Sequence, residues 1–291
     1  MANDNLQVDS VTGTPTTGHE WDDIRELNTP LPRWWLWLFY LTIIWGIGYW
    51  IVYPAFPLIS SFTTGVFGWS SRAAVATELV GLQTQRAPMN DKLAKTALAD
   101  IKNDQSLADF AYAEGRAAFR DNCGPCHGAG GGGGKGYPNL NDNDWLWGGK
   151  IAEIEQTITY GVRSGNPKAH DSQMPAFGRD KMLKPEEIVT VANYVRSLSN
   201  LPTRPGTDLA AGKQLFADNC AVCHGPDGKG NRELGSKNLT DNIWQYGSDE
   251  ATIIDVITNA RAGVMPAWTG RLDPVTIKAL AYYVHSLGGG E

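Results

Sequence analysis

The sequence predicts an all-α protein with one N-terminal transmembrane helix followed by two tandem helical domains. Residues 34–53 run for 20 residues without a charge. Beyond residue 107 the chain repeats itself. In both copies the apolar residues of the last segment recur at helical spacing, and no convincing run alternates as a strand does.

The apolar run would span about 30 Å at 1.5 Å per residue, the thickness of a hydrocarbon core. Arg33 bounds its start and Pro54 and Pro57 its end, with Trp34, Trp35 and Trp37 at one edge and Tyr49, Trp50 and Tyr53 at the other. Aromatic belts of this kind mark the two membrane interfaces. A cleaved signal peptide fits poorly, because an acidic segment of 33 residues precedes the run and no small-residue cleavage site follows it. Residues 1–33 are therefore read as an N-terminal cytoplasmic segment, its first 20 residues polar and flexible. Residues 34–53 are the anchor. Residues 54–107 are a connector, irregular and partly interfacial up to residue 71 and helix-prone after it.

The repeat divides the remainder into domains at 108–200 and 206–291. The segment GRAAFRDNC (115–123) matches GKQLFADNC (212–220). Asn139-Leu140 matches Asn238-Leu239, MPAF (174–177) matches MPAW (265–268), and YVRSL (194–198) matches YVHSL (283–287). Between the copies, LPTRPG (201–206) reads as a linker stiffened by two prolines.

Cys123-Gly124-Pro125-Cys126-His127 and Cys220-Ala221-Val222-Cys223-His224 both read C-x-x-C-H, and together they contain every cysteine of the chain. This spacing lets two thiols form thioethers with the vinyl groups of one haem while the adjacent histidine reaches the iron. Four thiolates on one zinc would leave both histidines unexplained, and a thioredoxin-like pair would need a βαβ context that is missing. Two covalently bound haem c groups are therefore expected, on the periplasmic side of a bacterial inner membrane. Met174 follows Cys123 by 51 residues and Met265 follows Cys220 by 45. They are equivalent in the repeat and each precedes a proline, so they are the candidate sixth ligands to iron beside His127 and His224. Met89 and Met182 have no counterpart and read as packing or surface. His–Met ligation closes both axial positions and suits electron transfer rather than oxygen or peroxide binding.

Arg163 and Arg261, close before the methionine loops, are candidates for pairing with haem propionates. His170 is a rival axial ligand without a counterpart in the second copy, and His285 reads as an exposed helical residue. The glycine run 130–134 lacks the Ser or Thr after Lys135 that a phosphate loop needs, and is read as a flexible or backbone-close loop beside the first haem. A net charge of −6 argues against nucleic-acid binding. No acid–base pair is evident, and no histidine lies in the apolar run to hold a b-type haem or a copper.

With these residues in place, the chain resembles the diheme subunit family of cbb3-type cytochrome c oxidase. The resemblance rests on GHEWD (18–22), LPRWW (31–35), Tyr53-Pro54-Ala55, YPNL (137–140) and DWLWGG (144–149), and covers nearly the whole chain. It implies two cytochrome c-type helical domains, with Gly115 and Phe119 near Tyr194, and Gly212 and Phe216 near Tyr283. It also implies partners: a catalytic haem–copper subunit, a monohaem cytochrome c subunit and a cytochrome c donor. A free-standing diheme shuttle, a diheme peroxidase and a gas sensor are the alternatives.

Overall fold

The computed structural model describes residues 7–291 and divides into two compact units that meet between Gln85 and Arg86. In the first, β1 (Thr16–Trp21) and β2 (Ile24–Leu27) form an antiparallel hairpin in which Trp21 faces Ile24 and Glu20 faces Arg25. Asp22 and Asp23 turn the chain with φ of 49° and 67°. Two positive φ angles are what a two-residue hairpin turn requires, and Asp tolerates them better than most residues. The all-α expectation overlooked this hairpin, and strand β1 replaces the expected flexible chain over residues 16–20. Residues 1–6 of that segment lie outside the described residues.

Helix α1 (Arg33–Val52) buries none of its side chains, and its best window has a mean hydropathy of 1.6. A helix apolar on every face with no protein cover belongs in hydrocarbon. It is the one described helix long and apolar enough to cross a membrane. Helix α2 (Ser71–Lys95) follows.

The second unit contains α3 (Gln105–Asn122), α4 (Gly124–His127), α5 (Ile151–Tyr160), α6 (Pro185–Leu198), α7 (Leu209–Asn219), α8 (Ala221–His224), α9 (Glu250–Asn259) and α10 (Pro274–His285). Asp104, Asp208, Asp249 and Asp273 cap α3, α7, α9 and α10 by accepting first-turn backbone N–H bonds. The amphipathic faces meet across the two copies. Helix α3 of the first copy packs on α10 of the second, and α10 also covers α5. Helix α6 of the first copy packs on α7 and α9 of the second.

This corrects the expected pairing of first and last helices. A Cβ on Gly115 would lie 2.2 Å from the Ala279 carbonyl and 2.7 Å from Tyr283 Cβ, whereas one on Gly212 would lie 2.8 Å from Tyr194 Cβ. Phe119 therefore meets Tyr283, with ring centroids 5.3 Å apart, and Phe216 meets Tyr194 at 5.5 Å.

The linker explains the exchange. Arg196 Nε donates to the Pro202 carbonyl at 2.9 Å, and Arg204 N donates to Asn193 Oδ1 at 2.7 Å. The chain leaving α6 is thus strapped back along α6, and α7 starts beside it. A short connection between neighbouring antiparallel helices is the ordinary solution. In chain order, α6, α7 and α9 form an inner unit inserted into an outer one made of α3, α5 and α10.

Residues 86–107, assigned to the connector on sequence, are built into the outer unit. Leu93, Ile101 and Leu107 are buried together with Ala279 of α10. Lys278 Nζ donates to the carbonyls of Leu93, Ala94 and Thr96 at 2.9–3.2 Å, capping the end of α2.

Candidate haem sites

Each C-x-x-C-H motif sits where a long helix breaks into one further turn. Cys123 N donates to the Phe119 carbonyl and Cys220 N to the Phe216 carbonyl, both at 2.8 Å. In the turn itself, His127 N donates to the Cys123 carbonyl and His224 N to the Cys220 carbonyl, both at 2.9 Å. Gly128 and Gly225 then end the two turns with φ of 80° and 77°. Burial, with the neighbouring cysteine adding to it, pushes the Cys123 and Cys220 thiols up to about 11.

The histidines are oriented by partners that sequence reasoning missed. His127 Nδ1 lies 3.1 Å from the Pro138 carbonyl, and His224 Nδ1 lies 2.9 Å from the Lys237 carbonyl. A carbonyl only accepts, so Nδ1 carries the proton and the Nε2 lone pair is left for a metal. Burial pushes both imidazoles below their ordinary range and favours this neutral form. A signal was present, since Pro138 and Lys237 each directly precede the repeated Asn-Leu pair.

Of the two readings of the glycine run, the loop of close backbone approach is the one observed. Gly133 N donates to the His127 carbonyl at 2.7 Å, as Gly230 N does to the His224 carbonyl at 2.8 Å. Gly133 has a φ of +71°, and a Cβ there would lie 2.7 Å from backbone atoms of Tyr137 and Asn139.

The methionines change places relative to their spacing within each copy. Met265 packs on the core that contains Cys123, Phe119 and Ile158, while Met174 packs with Cys220 on the core that contains Phe216 and Ile257. The backbones enforce this. Met265 N donates to the Val162 carbonyl and Val162 N to the Met265 carbonyl, both at 3.0 Å, and Trp268 N donates to the Ile158 carbonyl at the end of α5. On the other side, Gly178 N and Arg179 N, just after the Met174 loop, donate to the Thr258 carbonyl of α9 at 3.1 and 2.9 Å. Each methionine thus packs on the core of the C-x-x-C-H motif in the other copy. Met182 is exposed, and Met89 packs on the outer core.

Arg163 has a φ of 51° and donates Nε to the Gly263 carbonyl at 2.7 Å and Nη1 to the Ser172 carbonyl at 2.6 Å. It joins the two methionine loops. Arg261 pairs with Asp255 at 2.5 Å on an exposed surface, so its guanidinium is already engaged by a carboxylate. His170 is held between Thr157 Oγ1, 3.1 Å from its Nε2, and the ring of Trp147, stacked at 4.3 Å. His285, expected to be exposed, is half-buried with Nε2 3.0 Å from the Glu291 carbonyl.

The zinc alternative would need the cysteine pairs together, yet Cys123 and Cys220 belong to separate cores. Among the described residues no group of three or more His, Cys, Asp or Glu side chains is placed to hold a metal ion. The arrangement does fit a haem. Each half supplies two thiols one turn apart, an oriented imidazole, and a half-buried thioether on the same apolar core. The indole N–H of Trp244, which packs on the inner core, is buried without a partner in the protein, as a donor reserved for a bound group would be. Its repeat counterpart Trp145 donates instead to the Gly289 carbonyl.

Comparisons with known proteins place the chain among a family of oxidase subunits. Residues 13–60 match the family described as the N-terminal domain of cytochrome oxidase-cbb3, FixP. Residues 110–195 and 207–284 match the family described as cytochrome c oxidase, cbb3-type, subunit III. The chain is 64% identical over 288 residues to a cbb3-type cytochrome c oxidase subunit FixP of Bradyrhizobium sp. (strain ORS 278), covering 99% of each chain. It is 60% identical over 286 residues to the FixP subunit of Azorhizobium caulinodans, covering 98% of this chain and 96% of that one. It is 49% identical over 278 residues to the CcoP subunit of Cereibacter sphaeroides, covering 95% and 96%.

Proposed function

Because this chain belongs to the subunit III family of cbb3-type cytochrome c oxidases, we propose that it is the membrane-anchored electron-transfer subunit of such an oxidase. It holds two covalent haem c groups. It passes electrons from a cytochrome c donor towards the haem–copper subunit that reduces oxygen, alongside a subunit carrying one c-type haem. When bound, haem supplies the one-electron redox couple, and the protein supplies ligands, burial and position.

In this reading Cys123 and Cys126 would anchor one haem, and His127 and Met265 would hold its iron. Cys220 and Cys223 would anchor the other, and His224 and Met174 would hold its iron. The carbonyls of Pro138 and Lys237 hold the two imidazoles in the metal-binding tautomer. Arg163 is a positioning residue that ties the two methionine loops together, and Arg261 has no role at either group. The haem-bearing unit faces the periplasm, where covalent attachment of this type occurs, and α1 crosses the inner membrane.

The observation that carries the reading is the duplicated C-x-x-C-H turn, each with its histidine oriented by a carbonyl and a methionine on the same core. The test is purification of the full chain from membranes in mild detergent, with identification of its companions and a count of haem per chain after acid extraction. Two retained haems and a co-purifying haem–copper subunit are expected. Release of the porphyrin on extraction would refute covalent attachment, and a solitary diheme chain would point to a free-standing shuttle.

A further inference from the structure

From residue 34 to residue 71 the sequence contains no Asp, Glu, Lys, Arg or His, yet α1 uses this stretch only as far as Val52. The uncharged remainder returns to the end of the helix. Val66 N donates to the Ile51 carbonyl at 3.0 Å and Phe67 N to the Val52 carbonyl at 3.2 Å. These are two of the carbonyls that a helix C-terminus leaves without partners. Gly65 allows the approach, with a φ of +69° and only 2.3 Å between a built Cβ and the Val52 carbonyl oxygen. Tyr53 lies edge-on to both Phe67 and Trp69, with centroids 5.7 and 6.1 Å away.

The excursion between these points satisfies much of its own backbone. Thr63 N donates to the Phe56 carbonyl at 2.9 Å, Leu58 N to the Ser61 carbonyl at 2.7 Å, and Phe56 N to Thr63 Oγ1 at 2.9 Å. The result is a closed loop fixed at the level of the last helical turn, and its large side chains point away from protein. Leu58, Phe62 and Phe67 are more than half exposed and Ile59 is fully exposed. A contiguous apolar surface of this kind does not rest in water, and here it continues directly from a helix with no polar face.

We propose that residues 56–67 form an apolar wedge seated in the acyl chains of the leaflet into which the C-terminal end of α1 emerges. Its occupant is lipid hydrocarbon, not a protein partner. The wedge fixes how deep α1 sits and where α2 leaves the membrane surface, the role usually met by interfacial aromatic anchors.

The proposal rests on α1 spanning the bilayer, so its test reads both. In the full chain within native membranes, photoreactive p-benzoylphenylalanine replaces Phe62 and, in separate variants, Ile59 and the mid-span Ile47. Mass spectrometry after irradiation then identifies each adduct. The expected result is a gain of one phospholipid mass at Phe62 and Ile59 as well as at Ile47. A lipid adduct at Ile47, with either a peptide adduct or none at Phe62 and Ile59, overturns the wedge and leaves the span intact. Absence of lipid adducts at all three positions overturns both.

Discussion

The outer and inner units grow from the same repeat but are wrapped differently. In the outer unit Gly115 lets α3 approach the backbone of α10 directly, and Leu93 and Ile101 add a further layer from the segment before α3. In the inner unit Gly212 meets the equivalent pair, the Tyr194 Cβ and the Thr190 carbonyl, less closely, and its helices α6 and α7 are neighbours in the chain, tied by a short strap. The first site depends on residues from both ends of the second unit of the fold, whereas the second is complete in one stretch. The motif sets the local turn, and the environment decides what each site needs from the rest of the chain.

Truncation gives the largest expected effect. A chain ending at residue 262 keeps α6, α7, α9 and Met174 but loses Met265 and α10. It should retain the His224–Met174 centre and lose methionine ligation and a stable fold at the first, as read by haem spectra and protease resistance. A fragment of residues 206–291 lacks the partners of both α7 and α10 and should hold neither site. Survival of that fragment as a folded haem protein would dismantle the crossed arrangement.

Methionine replacement comes next. With Cys220 and Cys223 changed to Ala so that one haem remains, Met265→Ala should abolish the sulfur-capped low-spin spectrum and lower the potential, while Met174→Ala should leave both unchanged. The reverse result would restore ligation within each copy.

Gly115→Ala should cost about 3 kcal/mol, the upper end of overpacking penalties, and Gly212→Ala about 1 kcal/mol. Each meets a carbonyl and a tyrosine Cβ, at 2.2 and 2.7 Å for Gly115 but at 2.9 and 2.8 Å for Gly212, so the closer approach carries the larger penalty. Denaturant melts of each variant, followed at the haem of each unit, check the order.

The smallest effect concerns helix entry. Asp273→Ala removes the cap of α10 and should cost about 1 kcal/mol in the outer unit alone, because the counterpart α6 is entered through Lys184 N donating to Glu187. Burial pushes the Asp273 carboxyl up, but hydrogen bonds from Thr276 and Val275 outweigh it and hold the carboxyl below its ordinary value. The stability it contributes is therefore full above the unfolded value near 3.8 and is lost as pH falls through the depressed folded one. Asp273→Asn should flatten the acid limb of outer-unit unfolding and leave the inner limb unaltered.

Much of this was legible in the residues. The charge-free run marked α1 to within one residue at each end, the repeat located every helix that carries a motif, and the two C-x-x-C-H turns stand where they were read. The crossing was not legible, for a physical reason. Periodicity says which face of α3 or α7 is apolar, but two near-identical copies offer interchangeable partners, and only the path of the linker along α6 chooses between them. The hairpin at 16–27 escaped because its strands are short and exposed and alternate poorly. Its readable signal was the Asp22-Asp23 pair. The burial of residues 86–107 escaped because the segment is mostly polar, and a few side chains such as Leu93 and Ile101 carry its packing.

The nesting of one unit inside the other also sets an order of assembly. As the polypeptide is made N-terminus first, the interior module has all its pieces before the exterior one receives its closing helix. Helix α10 then acts as a latch, closing over α3 and α5 after the interior module is complete.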